Sequence, residues 1–142
     1  MDGGRAENCT VVRNLDVNTV GGIFMTNSAA VTNSIIYFNS AAGMTNINTT
    51  AGVAYCCAPE LVGGPGNMTL NPRFHAAGAG YGAGFTNGSF RLIGGSPCLN
   101  AGVRLPWMAA ALDLDQTSRI KAGAVDMGAY EELPSGTVFV NH

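Results

Sequence analysis

Three aspartates near the end of the chain come closest, by residue type and spacing, to a metal site. Asp113 and Asp115 form an Asp-x-Asp step, and Asp126 follows further along. Carboxylate oxygens are the ligands that Ca²⁺ prefers, so the three are candidate ligands of a weak cation site. Their spacing does not match a dedicated calcium loop, and Asp side chains also cap turns by accepting backbone N–H bonds. The capping interpretation, with Arg119 as a charge partner, is therefore favoured.

Two aromatic residues are candidates for stacking on a sugar ring. Trp107 follows Pro106, and Tyr81 lies inside the Gly-rich stretch 78–84. An aromatic ring gives a flat apolar face that also packs well against protein, so Trp107 is more readily interpreted as sealing one end of the core. A polysaccharide remains a possible partner on the strength of these two residues.

The residues needed for catalysis are sparse. The two histidines, His75 and His142, have no recognisable Ser or Cys nucleophile beside them. Between Val17 and Pro72 the only charged side chain is Glu60, whereas cleavage of polysaccharides needs paired carboxylates or a base with a nearby cation. We therefore predict no catalytic residues, no cofactor and no enzymatic activity.

Composition limits the possible partners. Charged residues make up 11% of the 142 residues, the net charge is −2, and the seven Lys and Arg residues are scattered, which argues against nucleic-acid binding. No apolar run is long enough to span a bilayer, so we expect no membrane insertion. The first residues lack a signal-peptide pattern, and localisation stays unassigned.

An Asn-rich pattern recurs along the first part of the chain. The segments 8–14 and 33–39 both read Asn, a small thiol or hydroxyl residue, mostly apolar residues and Asn again, 25 positions apart. A weaker third copy aligns 53–58 with 31–36. Such a period, with β-branched residues and Gly/Asn turns, is typical of stacked coils in which Asn8 and Asn33 form an amide ladder.

We therefore predict one all-β domain over residues 1–142. Residues 8–62 are expected to form a short right-handed parallel β-helix of about three coils. Residues 63–132 are expected to form a Gly/Pro-rich, irregular C-terminal capping segment. The tail, 133–142, either adds a strand at 137–140 or is disordered.

The four cysteines leave several pairings open. Cys56 and Cys57 are neighbours, and neighbours on a strand point to opposite faces, so they do not readily share one partner. With Cys9 and Cys98 three disulfide pairings are possible, and sequence does not choose among them. Burial as small apolar residues is favoured over a disulfide, and a disulfide over metal or redox chemistry.

Five ordered blocks in the second half carry a family resemblance. They are Asn71–Phe74 (NPRF), Ser89–Leu92 (SFRL), Gly95–Gly102 (GSPCLNAG), Asp113–Asp115 (DLD) and Val125–Glu131 (VDMGAYE). This succession resembles the C-terminal end of bacterial right-handed parallel β-helix proteins of the choice-of-anchor Q type, kin to the pectate-lyase-like superfamily. The resemblance implies a β-helix from a family whose members are typically exported or surface-attached, many without known activity. Asn71 and Asn100 stand where that family has Asp.

These observations lead to one functional expectation and two alternatives. The favoured function is a non-catalytic structural or assembly module, a truncated β-helix that self-associates through its open end as a homo-oligomer, dimer or trimer. The alternative is a carbohydrate-binding module. A remnant of a polysaccharide lyase or hydrolase is a weaker alternative, because the coils carry so few charges.

Overall fold

The first half of the chain consists of very short strands arranged in pairs. The computed structural model describes residues 1–132. Strands β1 (Arg5–Glu7) and β2 (Thr10–Val12) are followed by β3 (Ala30–Thr32) and β4 (Ile35–Tyr37), and then by β5 (Val53–Ala54). Asn8 and Asn33 lie between the members of the first two pairs, with φ of 51° and 53°. Asn tolerates this left-handed conformation better than most residues, so it supplies the bend between the strands of each pair.

Parallel pairing joins equivalent strands. Strands β1, β3 and β5 form a three-stranded parallel sheet in that order, with Arg5 opposite Ala30 and Val31 opposite Val53. Strands β2 and β4 form a two-stranded parallel sheet. Single parallel bridges, such as Ile23 with Ile47, continue the pairing outside the strands.

The prediction of a three-coil right-handed parallel β-helix is wrong. The described residues form short, separate parallel sheets and one antiparallel pair, and they do not close into a solenoid. The third copy is the reason. It contributes the two-residue strand β5 to one sheet, and to the other only a single bridge between Ile35 and Cys57. The chain is nevertheless mostly strand and loop, so the broader all-β class holds.

The second half is more regular than the predicted capping segment. Strands β6 (Phe74–Ala79) and β7 (Thr86–Leu92) pair as an antiparallel hairpin around a 3-10 helix at Gly82–Gly84, and a second 3-10 helix spans Pro106–Ala110. The second half of the chain also packs against the strands of the first half. The Ala129 N–H donates to Thr10 Oγ1 at 2.9 Å, which attaches the end of the described chain to β2.

Two apolar clusters form the core, and strand alternation decides which residues enter each. Ile36 and Cys56 belong to one cluster, whereas their neighbours Ile35 and Cys57 belong to the other. Successive side chains on a strand point to opposite faces, so β4 contributes Ile36 to the first cluster and Ile35 to the second. The first cluster contains Ile23, Met25, Ala29, Val31, Ile36, Ile47, Val53, Cys56, Ala58 and Leu61. The second contains Ile35, Cys57, Phe74, Leu92, Cys98 and Met127.

The predicted alternatives for the tail, residues 133–142, lie outside the described residues, as does His142. Neither 3-10 helix in residues 1–132 has the length and apolar character needed to cross a lipid bilayer.

Candidate functional site

Asp113 is a buried carboxylate that organises backbone around it. Its Oδ1 accepts hydrogen bonds from the N–H groups of Asp115 at 3.0 Å and Thr117 at 2.8 Å. Its Oδ2 accepts from the Glu131 N–H at 2.8 Å. Burial acts to raise the pKa of Asp113, but these N–H donors outweigh it and hold the pKa below its ordinary value. The side chain therefore joins the turn 113–117 to the end of the described chain.

Asp126 has the same role at another turn. It is 1% exposed, its Oδ1 accepts from the Asn100 N–H and its Oδ2 from the Glu132 N–H, both at 2.7 Å. Burial raises the pKa of Asp126, and the two backbone donors only partly offset that effect. Both carboxylate oxygens are thus directed at amides.

Asp115 does not join the other two aspartates. It forms an exposed ion pair with Arg91, whose guanidinium lies 4.7 Å from the centre of the Tyr130 ring. Within residues 1–132, no group of three or more His, Cys, Asp or Glu side chains is placed to hold a metal ion. The three candidate cation ligands are therefore used for turn geometry and for an Arg contact.

An ion pair that the sequence did not assign lies beside these turns. Arg119 Nη1 is 3.1 Å from Glu131 Oε1, and the two side chains are 6% and 1% exposed. Arg119 also donates to the carbonyl groups of Gly128 and Ala129 at 3.2 Å each. The predicted partner of Arg119 was an aspartate. The structure gives it Glu131, whose other oxygen accepts the Asp126 N–H at 2.8 Å.

The two sugar-stacking candidates lie on different parts of the surface, and each has a protein contact. Trp107 is 46% exposed, and its Nε1 donates to Glu7 Oε2 at 2.6 Å. Tyr81 is 39% exposed, and the Arg13 guanidinium lies 5.3 Å from the centre of its ring. The same guanidinium lies 5.1 Å from the centre of the Phe38 ring, which places it against both aromatic residues. One face of Tyr81 is therefore covered by protein.

Asn side chains form two columns across the paired strands. In the predicted column, Asn33 Nδ2 donates to Asn8 Oδ1 at 3.3 Å. A second column was not predicted, although its first two members also stand 25 positions apart. There Asn14 Nδ2 donates to Asn39 Oδ1 at 3.0 Å, and Asn39 Nδ2 donates to Asn46 Oδ1 at 3.1 Å.

The second column ends at the carboxylate of Glu60. Glu60 Oε1 accepts from the Asn46 N–H at 3.0 Å and from Thr45 Oγ1 at 2.9 Å. These bonds give the isolated charge of Glu60 a structural role.

Two adjoining clefts lie at the surface next to this column. The first, of about 370 Å³, is lined by Met44, Ile47, Asn48, Thr49, Thr50 and Glu60. The second, of about 270 Å³, shares Asn48 and Thr49. Their lining combines amides, hydroxyls and the Glu60 carboxylate with apolar side chains, which suits a neutral polar ligand that can donate hydrogen bonds.

Protein-family models, curated proteins and solved structures give no match to this chain.

Proposed function

We propose that this protein is a non-catalytic assembly module that forms a homodimer through strand β1. The proposal rests on one observation, the position of β1 at the edge of its sheet. In the order β1-β3-β5, strand β1 has β3 on one side, and no strand within residues 1–132 pairs with its other side, which is therefore open to a second strand. The expected contact through the open end of a β-helix is replaced by this edge, because the sheets do not close.

The backbone of β1 divides its hydrogen-bonding groups between the two sides. The Gly4 carbonyl accepts a hydrogen bond from β3 at 3.0 Å, and the Asn8 N–H donates to β3 at 3.1 Å. Groups alternate in direction along a strand, so the N–H and C=O groups of Arg5 and Glu7 point away from β3. This outward set is what a second strand pairs with.

Arg5 and Glu7 have opposite charges, which makes β1 complementary to β1 of a second copy. In an antiparallel pair of β1 strands centred on Ala6, Arg5 of one copy lies opposite Glu7 of the other, and the reverse pair forms across the two-fold axis. Both residues already point their backbone groups outward, which fits the hydrogen-bonded type of antiparallel pair. Opposite charges facing each other across strands stabilise the pairing by a few tenths of a kcal/mol up to ~1 kcal/mol each.

The contacts that already engage the three aspartates support the non-catalytic part of the proposal. Asp113 and Asp126 each accept backbone N–H groups with both carboxylate oxygens, and Asp115 contacts Arg91. The resemblance to surface proteins that often lack a known activity points in the same direction.

Charge reversal tests the interface. We expect light scattering after size exclusion to show a dimer at micromolar concentration. Arg5→Glu places like charges opposite each other and should raise the dimer dissociation constant at least about tenfold. The double variant Arg5→Glu/Glu7→Arg restores opposite charges and should restore the dimer. Arg104→Glu, an equal charge change at another exposed arginine, is the matched control.

Two outcomes would contradict this proposal. One is a wild-type chain that stays monomeric at about 100 μM. The other is a double variant that is as monomeric as Arg5→Glu, because the interface would then not depend on the Arg5–Glu7 contact.

A carbohydrate-binding module is the second candidate, and the adjoining clefts favour it. The Thr49 Oγ1 accepts the Ala51 N–H at 3.1 Å, which leaves its hydroxyl hydrogen available to a ligand. Asn48 bonds the Met25 backbone with one N–H and its oxygen, which leaves its second N–H available. A neutral sugar offers both acceptors and apolar faces to such a lining.

Titration calorimetry with neutral oligosaccharides tests this second candidate. Binding should be weakened at least about fivefold by Thr49→Ala and left unchanged by Trp107→Ala. Loss of binding in Trp107→Ala but not in Thr49→Ala would show that the sugar binds at Trp107, the predicted stacking residue. No binding at millimolar sugar would eliminate the candidate.

A further inference from the structure

Two cysteines from distant parts of the chain meet inside the second apolar cluster. Cys57 follows β5, and Cys98 lies in the turn after β7. Both are 0% exposed, both belong to the cluster with Phe74 and Met127, and both are free thiols in the structure. The Cys98 side chain is near enough to that of Cys57 to raise the pKa of the Cys57 thiol.

The backbone on both sides of this contact is held in place. Cys57 donates its N–H to the Ser34 carbonyl at 2.9 Å, and its own carbonyl accepts the Ile36 N–H at 2.9 Å. The Cys98 carbonyl accepts the Met127 N–H at 3.0 Å. The two thiols therefore approach each other from fixed positions.

The other two cysteines are directed elsewhere. Cys56 is in the first apolar cluster, and its Sγ lies 3.2 Å from the Ala54 carbonyl. The Sγ of Cys9 lies 3.5 Å from the Glu7 carbonyl. Of the pairings that the sequence left open, the structure brings together Cys57 and Cys98.

We propose that Cys57 and Cys98 are a disulfide-forming pair that links the repeat half of the chain to the 95–102 turn under oxidising conditions. The oxidant is a small-molecule disulfide such as oxidised glutathione. A thiolate of one cysteine attacks it and releases one glutathione thiolate. The second cysteine then displaces the other glutathione from the mixed disulfide, so that the two protein thiols lose two electrons and two protons and two glutathione thiols form.

The environment of the pair determines when this bond forms. Contact with Cys98 and burial raise the pKa of Cys57, so little thiolate is present in the folded protein. Burial also excludes the oxidant. The bond should therefore form during folding, before the cluster closes, and only slowly in a chain that has folded in the reduced state. Once it forms, the Leu70 carbonyl loses the Cys57 thiol at 3.0 Å but can bind water, because Leu70 is exposed.

Oxidative refolding tests the pair. The reduced, denatured chain is refolded in a mixture of reduced and oxidised glutathione, denatured again, treated with iodoacetamide and weighed by mass spectrometry. We expect two alkylated cysteines, against four after refolding in dithiothreitol, and a linked peptide whose fragmentation joins residues 57 and 98. The closed loop is long, so the oxidised form should melt at a temperature higher by roughly 10 °C.

The neighbouring cysteine provides a matched control. Cys56→Ser should keep two protected thiols, whereas Cys57→Ser and Cys98→Ser should each leave all three remaining thiols open to alkylation. Four alkylated cysteines in the oxidatively refolded wild type, or a linked peptide that contains Cys9 or Cys56, would overturn the proposal. Fragmentation of the wild-type peptide decides the question even where a variant fails to fold.

Discussion

Asn33 and Val103 exchange a reciprocal pair of hydrogen bonds across 70 positions of sequence. Asn33 Nδ2 donates to the Val103 carbonyl at 2.7 Å, and the Val103 N–H donates to Asn33 Oδ1 at 2.8 Å. Asn33 is 0% exposed and has a φ of 53°. One amide thus sets the bend between β3 and β4 and attaches the second half of the chain to it.

Asn33→Ala should destabilise the protein strongly. It leaves the Val103 N–H and carbonyl without their partner, and Ala tolerates a positive φ less well than Asn, so we expect a loss of about 3 kcal/mol in the free energy of unfolding. Urea unfolding followed by circular dichroism measures it. Asn18→Ala, at an exposed Asn, is the control and should change the value by less than about 0.5 kcal/mol. Equal effects of the two variants would contradict this role of Asn33.

The Arg119–Glu131 pair should contribute far more than the Arg91–Asp115 pair. Arg119→Met leaves the Glu131 carboxyl buried without its cation, which costs about 3–5 kcal/mol where Glu131 is ionised, so the comparison is made at about pH 8. Arg91→Met removes a pair whose side chains are 48% and 34% exposed, and such pairs contribute about 1 kcal/mol or less. Thermal and urea unfolding of the two variants compare them directly. A larger loss in Arg91→Met would show that the buried network is wrongly described.

Stability should depend on pH through Glu131. Burial raises the pKa of Glu131 to about 7, from an ordinary value of 4.5. The folded state therefore binds the proton more tightly than the unfolded state. The resulting stabilisation is complete below pH 4.5 and is lost as pH rises to about 7, a change of about 3 kcal/mol.

Glu131→Gln cannot titrate. The unfolding free energy of the wild type minus that of this variant should therefore rise as pH falls from 7 to 4.5, because only the wild type gains stability from binding the proton. Urea unfolding at a series of pH values measures it. A difference that stays constant over that range would rule out Glu131 as the titrating group.

Gly22 should be intolerant of a side chain. A Cβ at this position would lie 2.2 Å from the Asn46 carbonyl oxygen and 2.7 Å from Ile36 Cγ2. Gly22→Ala therefore forces the backbone at Asn46 away, and we expect a loss of about 2 kcal/mol or more, or failure to fold. Gly94→Ala has nothing within 4 Å of the new Cβ and should be neutral or slightly stabilising. Melting temperatures of the two variants give the comparison.

The recurring Asn made the local pairing predictable, but not the architecture. The spacing between Asn8 and Asn33 places β1 beside β3, because equivalent residues of successive copies become neighbours. Closure into a solenoid depends on the length of the third strand. Strand β5 is bounded by Gly52 and Tyr55, both with positive φ, and Gly also occurs in the turns of true solenoids, so the sequence pattern does not separate the two cases.

The contacts of the second half could not be predicted, because no repeat relates its residues. Arg119 and Glu131 are separated by ordinary turn sequence, and Cys57 and Cys98 lie in different halves of the chain. Their meeting depends on how the halves pack. A lone charge in an otherwise uncharged segment, such as Glu60, is a signal that the sequence does provide, and here it marks the end of the second Asn column.

The register of the paired strands also shows where the chain accepts extra length. Asp2 lies opposite Thr26, 24 positions on, whereas Arg5 lies opposite Ala30, 25 positions on, so the second copy already contains one additional residue between those points. Asn27 and Ser28 within that stretch are exposed. A foreign epitope grafted between them would be displayed at the surface without shifting the alignment of β1 with β3.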